Sequence, residues 1–193
     1  MPIATASQPM AFTNEFLNQL LDGLAETRNA DAALREVDRM RSLIAGESIF
    51  SIQQNVTTAH DPAGEIRLRR FYSSEAQRHP VGGGKRKTLT PWTECLFLQG
   101  RVFVGEGAET LARHFDDFEQ MHAYGLQSVI NVPLLRGEVC YATFNVFGTR
   151  PRWQPHEVLG IRLLALSAAR WVPAAPGLAY RFTDMSFTSP MES

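Results

Sequence analysis

Gly125-Leu-Gln-Ser-Val-Ile-Asn-Val-Pro-Leu134 is followed by Gly137 and then by Tyr141-Ala-Thr-Phe-Asn-Val146. Ser128–Leu134 and Val139–Phe147 are rich in β-branched and aromatic residues. Arg136-Gly137-Glu138 between them is turn chemistry, so the stretch predicts two strands joined by a hairpin. Side chains alternate along a strand, so Ser128 and Asn131 face opposite sides. Upstream, Gly125 ends a helix predicted over Thr110–Tyr124, with Leu111, Phe115, Phe118, Met121 and His122 on or near one face. Downstream, Pro155 stands where a helix starts. Its apolar residues from Val158 to Trp171 cover more than one face, and Pro173 and Pro176 stop it.

Further out, Trp92–Leu98 and Arg101–Val104 read as a strand pair around Gln99-Gly100. Ile49–Gln53 and Ile66–Tyr72 read as strands around the loop at His60-Asp61-Pro62-Ala63-Gly64. Arg78–Lys87 reads as a polar, basic loop. Phe12, Phe16, Leu17, Leu20, Leu21 and Leu24 recur at helical spacing, with Thr13 or Asn14 as cap. Ala33, Leu34, Val37, Met40, Leu43 and Ile44 make a second amphipathic helix, ended by Gly46. The expected division is a flexible arm over 1–11, a single domain over 12–172, and a tail without periodicity over 173–193. The expected fold is α+β: an antiparallel sheet with N- and C-terminal helices on one face and loops over the other.

The chain has 193 residues, 44% of them hydrophobic and 20% charged, which suits one globular domain and not a disordered chain. With 19 Lys and Arg against 20 Asp and Glu, the formal charge is -1. That balance argues against a dedicated nucleic-acid-binding protein. No apolar run is long enough to span a membrane, and residues 1–10 lack the features of a signal peptide. The two cysteines, Cys95 and Cys140, form neither a disulfide framework nor a metal clip. The expectation is a cytoplasmic protein without cofactor or metal, whose output acts on a separate partner.

The 125–146 stretch, with its glycine-led strand, S-x-x-x-V-P pattern, hairpin and small-residue strand, resembles the GAF domain family. The likeness runs over about residues 12–172 and includes the alanine-containing final helix. It implies a ligand cavity between the sheet and the loop-and-short-helix layer, and a role in binding a small molecule. Arg70-Phe-Tyr-Ser-Ser74, Pro80-Val-Gly-Gly-Gly-Lys85, Trp92 and Asp117 resemble a subgroup of small bacterial GAF proteins. Several subtypes are not matched. Cyclic-nucleotide members carry Asn-Lys and then Phe, three residues, Asp-Glu, whereas Phe115 is followed by Asp-Asp-Phe-Glu-Gln. Bilin-binding members attach the chromophore at Cys-His, whereas Cys95 precedes Leu96 and Cys140 precedes Tyr141. Free-methionine-sulfoxide reductases use three cysteines, and this chain has two.

Individual residues then become candidates for ligand binding. In Ile66, Leu68, Arg70, Tyr72 the alternation puts Arg70 and Tyr72 in line with core positions. A buried arginine needs an internal acid such as Glu94, or an anionic ligand. The Arg78–Lys87 loop misses the P-loop spacing, yet its glycines, His79 and Lys85 can serve either as a solvated loop or as a lid over an anion. Trp92, after Pro91 and beside Thr93 and Glu94, is the candidate wall for an apolar or aromatic ligand. His122 is a candidate proton donor or acceptor, and Asp117 enters through the subgroup likeness. His114, Asp116, Asp117, Glu119 and His122 lack the His–His spacing of a metal site. Ser128 is placed by the family likeness near the pocket.

Residues 61–90 hold seven Lys/Arg against three Asp/Glu, and residues 104–122 hold five Asp/Glu against one Arg. Complementary charge across a cleft accounts for this without a ligand. The leading expectation is a small-molecule-binding module for an anionic or aromatic metabolite, acting as a homodimer or on a partner in trans. The alternatives are a small enzyme using the same pocket for thiol redox or acid/base chemistry, and a purely structural dimer.

Overall fold

The 128–147 hairpin becomes the centre of a six-stranded antiparallel sheet. The computed structural model describes residues 13–182 and 185–188. Its elements are α1 (Asn14–Ala25), α2 (Ala30–Ala45), β1 (Ser48–Asn55), β2 (Ile66–Ser73), β3 (Gly84–Lys87), α3 (Pro91–Thr93) running into a π-helical turn (Glu94–Leu98), β4 (Phe103–Glu106), α4 (Ala108–His114), α5 (Phe118–Ala123), β5 (Ser128–Arg136), β6 (Val139–Gly148), α6 (Pro155–Ala169), β7 (Ala179–Phe182) and β8 (Met185–Thr188). The sheet order is β3-β2-β1-β6-β5-β4. The α+β architecture expected from the sequence is the one observed. Phe12 and the arm over 1–11 lie outside the described residues.

Amphipathic α2 and mostly apolar α6 pack on one face of the sheet, and α1 packs on α2. Thr13 caps α1, accepting from Phe16 N, and Asn29 caps α2, accepting from Ala32 N. Phe50, Ile52, Ile130 and Phe144 fill the core under these helices with no exposed surface. The opposite face is covered by α3, the π turn, α4, α5 and the segment between β2 and β3.

Several local expectations are corrected. Trp92–Leu98 is helical, not a strand. Pro91 occupies its first turn, and Thr90 and Thr93 cap each other's backbone N–H groups, which fixes a helix start. Gly84–Lys87, read as loop, is an edge strand paired with β2. The helix predicted over Thr110–Tyr124 is two helices, interrupted where Phe115 turns extended at φ -126° and ψ 119°. The stretch read as an aperiodic tail contains the β7–β8 hairpin, with Tyr180, Phe182 and Phe187 buried. Tyr180 makes the join: its hydroxyl accepts from Cys140 N at 2.9 Å and donates to Phe97 O at 3.1 Å.

Candidate functional site

The covered face of the sheet encloses a cavity of about 300 Å³. That is at the lower end of the roughly 300–1,000 Å³ usual for small-molecule pockets. Its floor is the sheet: Ile49, Ser51 and Gln53 of β1, Leu68, Arg70 and Ser73 of β2, Lys85 and Lys87 of β3, Asn131 of β5, and Thr143, Asn145 and Phe147 of β6. Its roof brings Trp92, Phe115, Asp117, Gln120, Met121 and Leu126 from the short helices, and Arg78 and His79 from the β2–β3 connection. Gly125, at φ 70°, closes α5 in a left-handed cap in which Leu126 N donates to Met121 O at 3.0 Å. The two apolar residues of that motif are thereby turned together onto the cavity.

The deep wall is a fixed hydrogen-bond relay. Trp92 Nε1 donates to Asn131 Oδ1 at 2.9 Å, and Asn131 Nδ2 donates to Asn145 Oδ1 at 2.7 Å. Asn145 Nδ2 donates in turn to the carbonyl and hydroxyl of Thr143, each at 3.1 Å. Asn131 and Asn145 are direct cross-strand partners, so the relay runs across the hairpin. It holds the indole plane against the cavity and satisfies polar groups that burial would otherwise strand.

The opposite wall is cationic. Arg70 Nη1 donates to Pro80 O at 3.2 Å, and its Nε is buried without a hydrogen-bond partner among the described residues. Glu94 does not pair with it; the nearest acidic influence is the charge of Asp117. Burial pushes the guanidinium down from its ordinary value against that charge, but an arginine stays protonated at any physiological pH. Gly83 lies against the same guanidinium, for a Cβ there would sit 3.3 Å from Arg70 Nη1. Lys85 pairs with Asp117, and Lys87 pairs with Asp116 at 2.7 Å. Burial raises the Asp117 carboxyl, but the hydrogen bond and charge of Lys85 outweigh it, and the group lies below its ordinary value. Burial, then the charges of Arg70 and Lys85, hold His79 below the ordinary imidazole range, so it is neutral at pH 7. The charge asymmetry of the sequence is thus expressed as ion pairs between β3 and the α4–α5 junction.

Of the eight candidate residues, Arg70, His79, Lys85, Trp92 and Asp117 line this one cavity. The other three do not. Tyr72 faces the helices, where its hydroxyl donates to Asp38 Oδ2 at 3.4 Å and its ring meets Phe50. The cause is a β-bulge: Gln53 pairs with Arg70 while Ile52 pairs with Tyr72, so Phe71 is extra and the alternation reverses after Arg70. Ser128 is buried on the other face of β5, donating to Arg150 O at 2.6 Å, and Asn131 faces the cavity in its place. His122 is exposed on α5 beside Phe118, because the helix turns Gln120 and Met121 inward instead. Sequence reasoning missed Gln53, Ser51, Asn145 and Thr143. Their signal was there as polar residues inside apolar strands.

Neither Cys95 nor Cys140 lines the cavity, and burial pushes both thiols up. Among the described residues no group of three His, Cys, Asp or Glu side chains is placed to hold a metal ion, and no helix is long and apolar enough to cross a membrane.

No family model and no curated protein matches the sequence. Solved structures do. The GAF domain of a phosphoenolpyruvate-protein phosphotransferase from Coxiella burnetii superposes with a TM-score of 0.62 at 12% identity, over 81% of this chain and 89% of that one. The phycocyanobilin-bound GAF domain of a cyanobacterial phytochrome gives 0.55 at 14% identity, over 83% and 94%. The chromophore-binding domain of a bacteriophytochrome from R. palustris gives 0.56 at 12% identity over 86% of this chain. This chain spans 62% of that structure's length. The six-stranded antiparallel sheet, its helical backing and these superpositions together identify the chain as a GAF-like fold.

Proposed function

We propose that the protein is a small-molecule-binding module, acting in the cytoplasm, whose cavity takes an anionic ligand with an apolar body. The observation that carries this reading is Arg70: a charged side chain on the cavity wall with a buried Nε that no group among the described residues satisfies. A buried charged donor without an acceptor is costly, and an anion removes that cost. Trp92, Phe115, Met121 and Phe147 supply the apolar surface for the rest of the ligand. One structural neighbour holds a small molecule, phycocyanobilin, which supports a binding role for this type of cavity. The thiol-redox alternative draws no support from two cysteines that lie off the wall.

The test is calorimetry and thermal shift against a panel of small carboxylates and phosphates. Arg70→Ala is expected to lower the affinity of any hit by about ten- to a hundredfold, the worth of one charge-assisted hydrogen bond. An unchanged affinity overturns the reading.

The module acts as a homodimer or on a partner in trans. Leu21 of α1 and Leu159 and Leu166 of α6 are 63%, 51% and 72% exposed. Large apolar side chains left open on helices are material for a two-fold interface. Light scattering is expected to give twice the 21.6 kDa chain mass. A species of single chain mass at micromolar concentration defeats the dimer.

A further inference from the structure

Gln53 and Arg70 are direct cross-strand partners on β1 and β2, and both face the cavity. Gln53 Oε1 is buried without a hydrogen-bond partner among the described residues, and so is Arg70 Nε. Side chains opposite each other on antiparallel strands have Cβ atoms about 5 Å apart. A buried acceptor and a buried charged donor therefore stand side by side and do not satisfy each other. From this we infer that the cavity is built for a monocarboxylate that carries a neutral hydroxyl or amide N–H donor beside its carboxylate, on a body the size of one ring. The inference rests on the anion-binding reading above and narrows it.

Each part of that description follows from the wall. A carboxylate alone supplies only acceptors. It answers Arg70 and leaves Gln53 Oε1 stranded, so a donor must sit next to it. A single negative charge follows from the cations. Of the four on the wall, Lys85 is held by Asp117 and Lys87 by Asp116. Arg78 is exposed and lies over the Tyr124 ring at 5.5 Å. Among the described residues Arg70 alone is an inward charge without a counter-ion, and His79 beside it is neutral. The donor must be neutral as well. An ammonium at this point lies next to Arg70, and the carboxylate that would compensate it, Asp117, is already engaged. The body packs against Leu68, Trp92, Phe115, Met121, Leu126 and Phe147. A 2-hydroxy or 2-acylamino carboxylate with one aromatic or branched substituent meets all of these conditions.

Four compounds of one shape decide the matter by titration calorimetry on the wild-type protein: mandelate as each enantiomer, phenylacetate, phenylglycine and phenyl phosphate. One enantiomer of mandelate is expected to bind about tenfold more tightly than phenylacetate, the value of one buried hydrogen bond. Phenylglycine and phenyl phosphate are expected to bind more weakly than mandelate. In Gln53→Leu the preference for mandelate over phenylacetate is expected to vanish while phenylacetate still binds. The wild-type comparison stands whether or not that variant folds. If phenylacetate and mandelate bind equally, and both depend on Arg70, the donor requirement is overturned and the anion-binding reading survives. If phenyl phosphate or phenylglycine binds most tightly, the single charge or the neutral donor is overturned. If none of the anions binds, or binding ignores Arg70→Ala, both readings fall together.

Discussion

His79 feels the charge of two of the cations on its wall, and that sets its response to acid. Burial and the charges of Arg70 and Lys85 make the folded protein a poorer host for the imidazole proton than the unfolded chain. When the unfolded state binds more protons, stability rises with pH. The penalty is absent well above the ordinary imidazole value of about 6.5 and grows as pH falls through it. His114, half-buried and next to Arg113, acts in the same direction. Asp117 behaves oppositely: its depressed carboxyl stabilises the fold until pH drops through the carboxylate range near 4, so the two windows do not overlap. Melting temperature is therefore expected to fall between about pH 7 and pH 5.5, and His79→Gln is expected to shallow that fall. A slope identical to wild type would show that His79 does not feel its neighbours. Bound anion would partly offset the two cations, so ligand should flatten the same slope.

At the scale of elements, the C-terminal hairpin holds the covering layer in place. Tyr180 joins β7, β6 and the π turn through one hydroxyl. Tyr180→Phe keeps the ring and leaves a backbone N–H and a carbonyl without that partner. The expected loss is about 1–3 kcal/mol by urea denaturation, and no loss would show the bridge to be idle. This hairpin was not legible in the sequence, because two four-residue strands are too short to show a period. The β5–β6 hairpin, α2 and α6 were legible, since caps, turn glycines and periodicity agreed over long segments. The strand read into Trp92–Leu98 shows the opposite case: a short apolar run suits strand or helix equally, and Thr90-Pro91 was the start signal that decides it. Lys85-Arg86-Lys87 was read as loop because an edge strand of charged residues has no hydrophobic alternation to reveal it. Of the five candidate residues that line the cavity, Arg70 was legible from strand alternation, His79 and Lys85 from the glycine loop and Trp92 from its polar neighbours after Pro91, whereas Asp117 came from the subgroup likeness alone. Tyr72 does not, for the bulge at Phe71 is decided by pairing with β1 and leaves no mark in β2 itself. Ser128 and Asn131 were correctly set on opposite faces, but which face looks inward depends on the indole N–H of Trp92 needing Asn131 as acceptor.

The whole molecule closes over its cavity by salt links between β3 at the sheet edge and the α4–α5 junction. Lys87 meets Asp116, a rim contact whose aspartate is 89% exposed, so salt will weaken it readily. Lys85 meets Asp117 at the cavity itself. The protein thus carries a tethered competitor: any free anion that seeks Lys85 must displace a carboxylate already held there at high effective concentration. Affinity for an outside anion is accordingly lower than the bare wall would give, and the concentration at which the cavity begins to fill is set by one aspartate. Asp117→Asn keeps the shape and removes the competitor, so a carboxylate ligand is expected to bind about tenfold more tightly in calorimetry. Unchanged affinity would place Lys85 outside the anion's reach. Under the binding role proposed above, Asp117 is a threshold control: the level of metabolite that counts as present can be reset there while the proposed recognising groups, Gln53, Arg70 and Trp92, stay as they are.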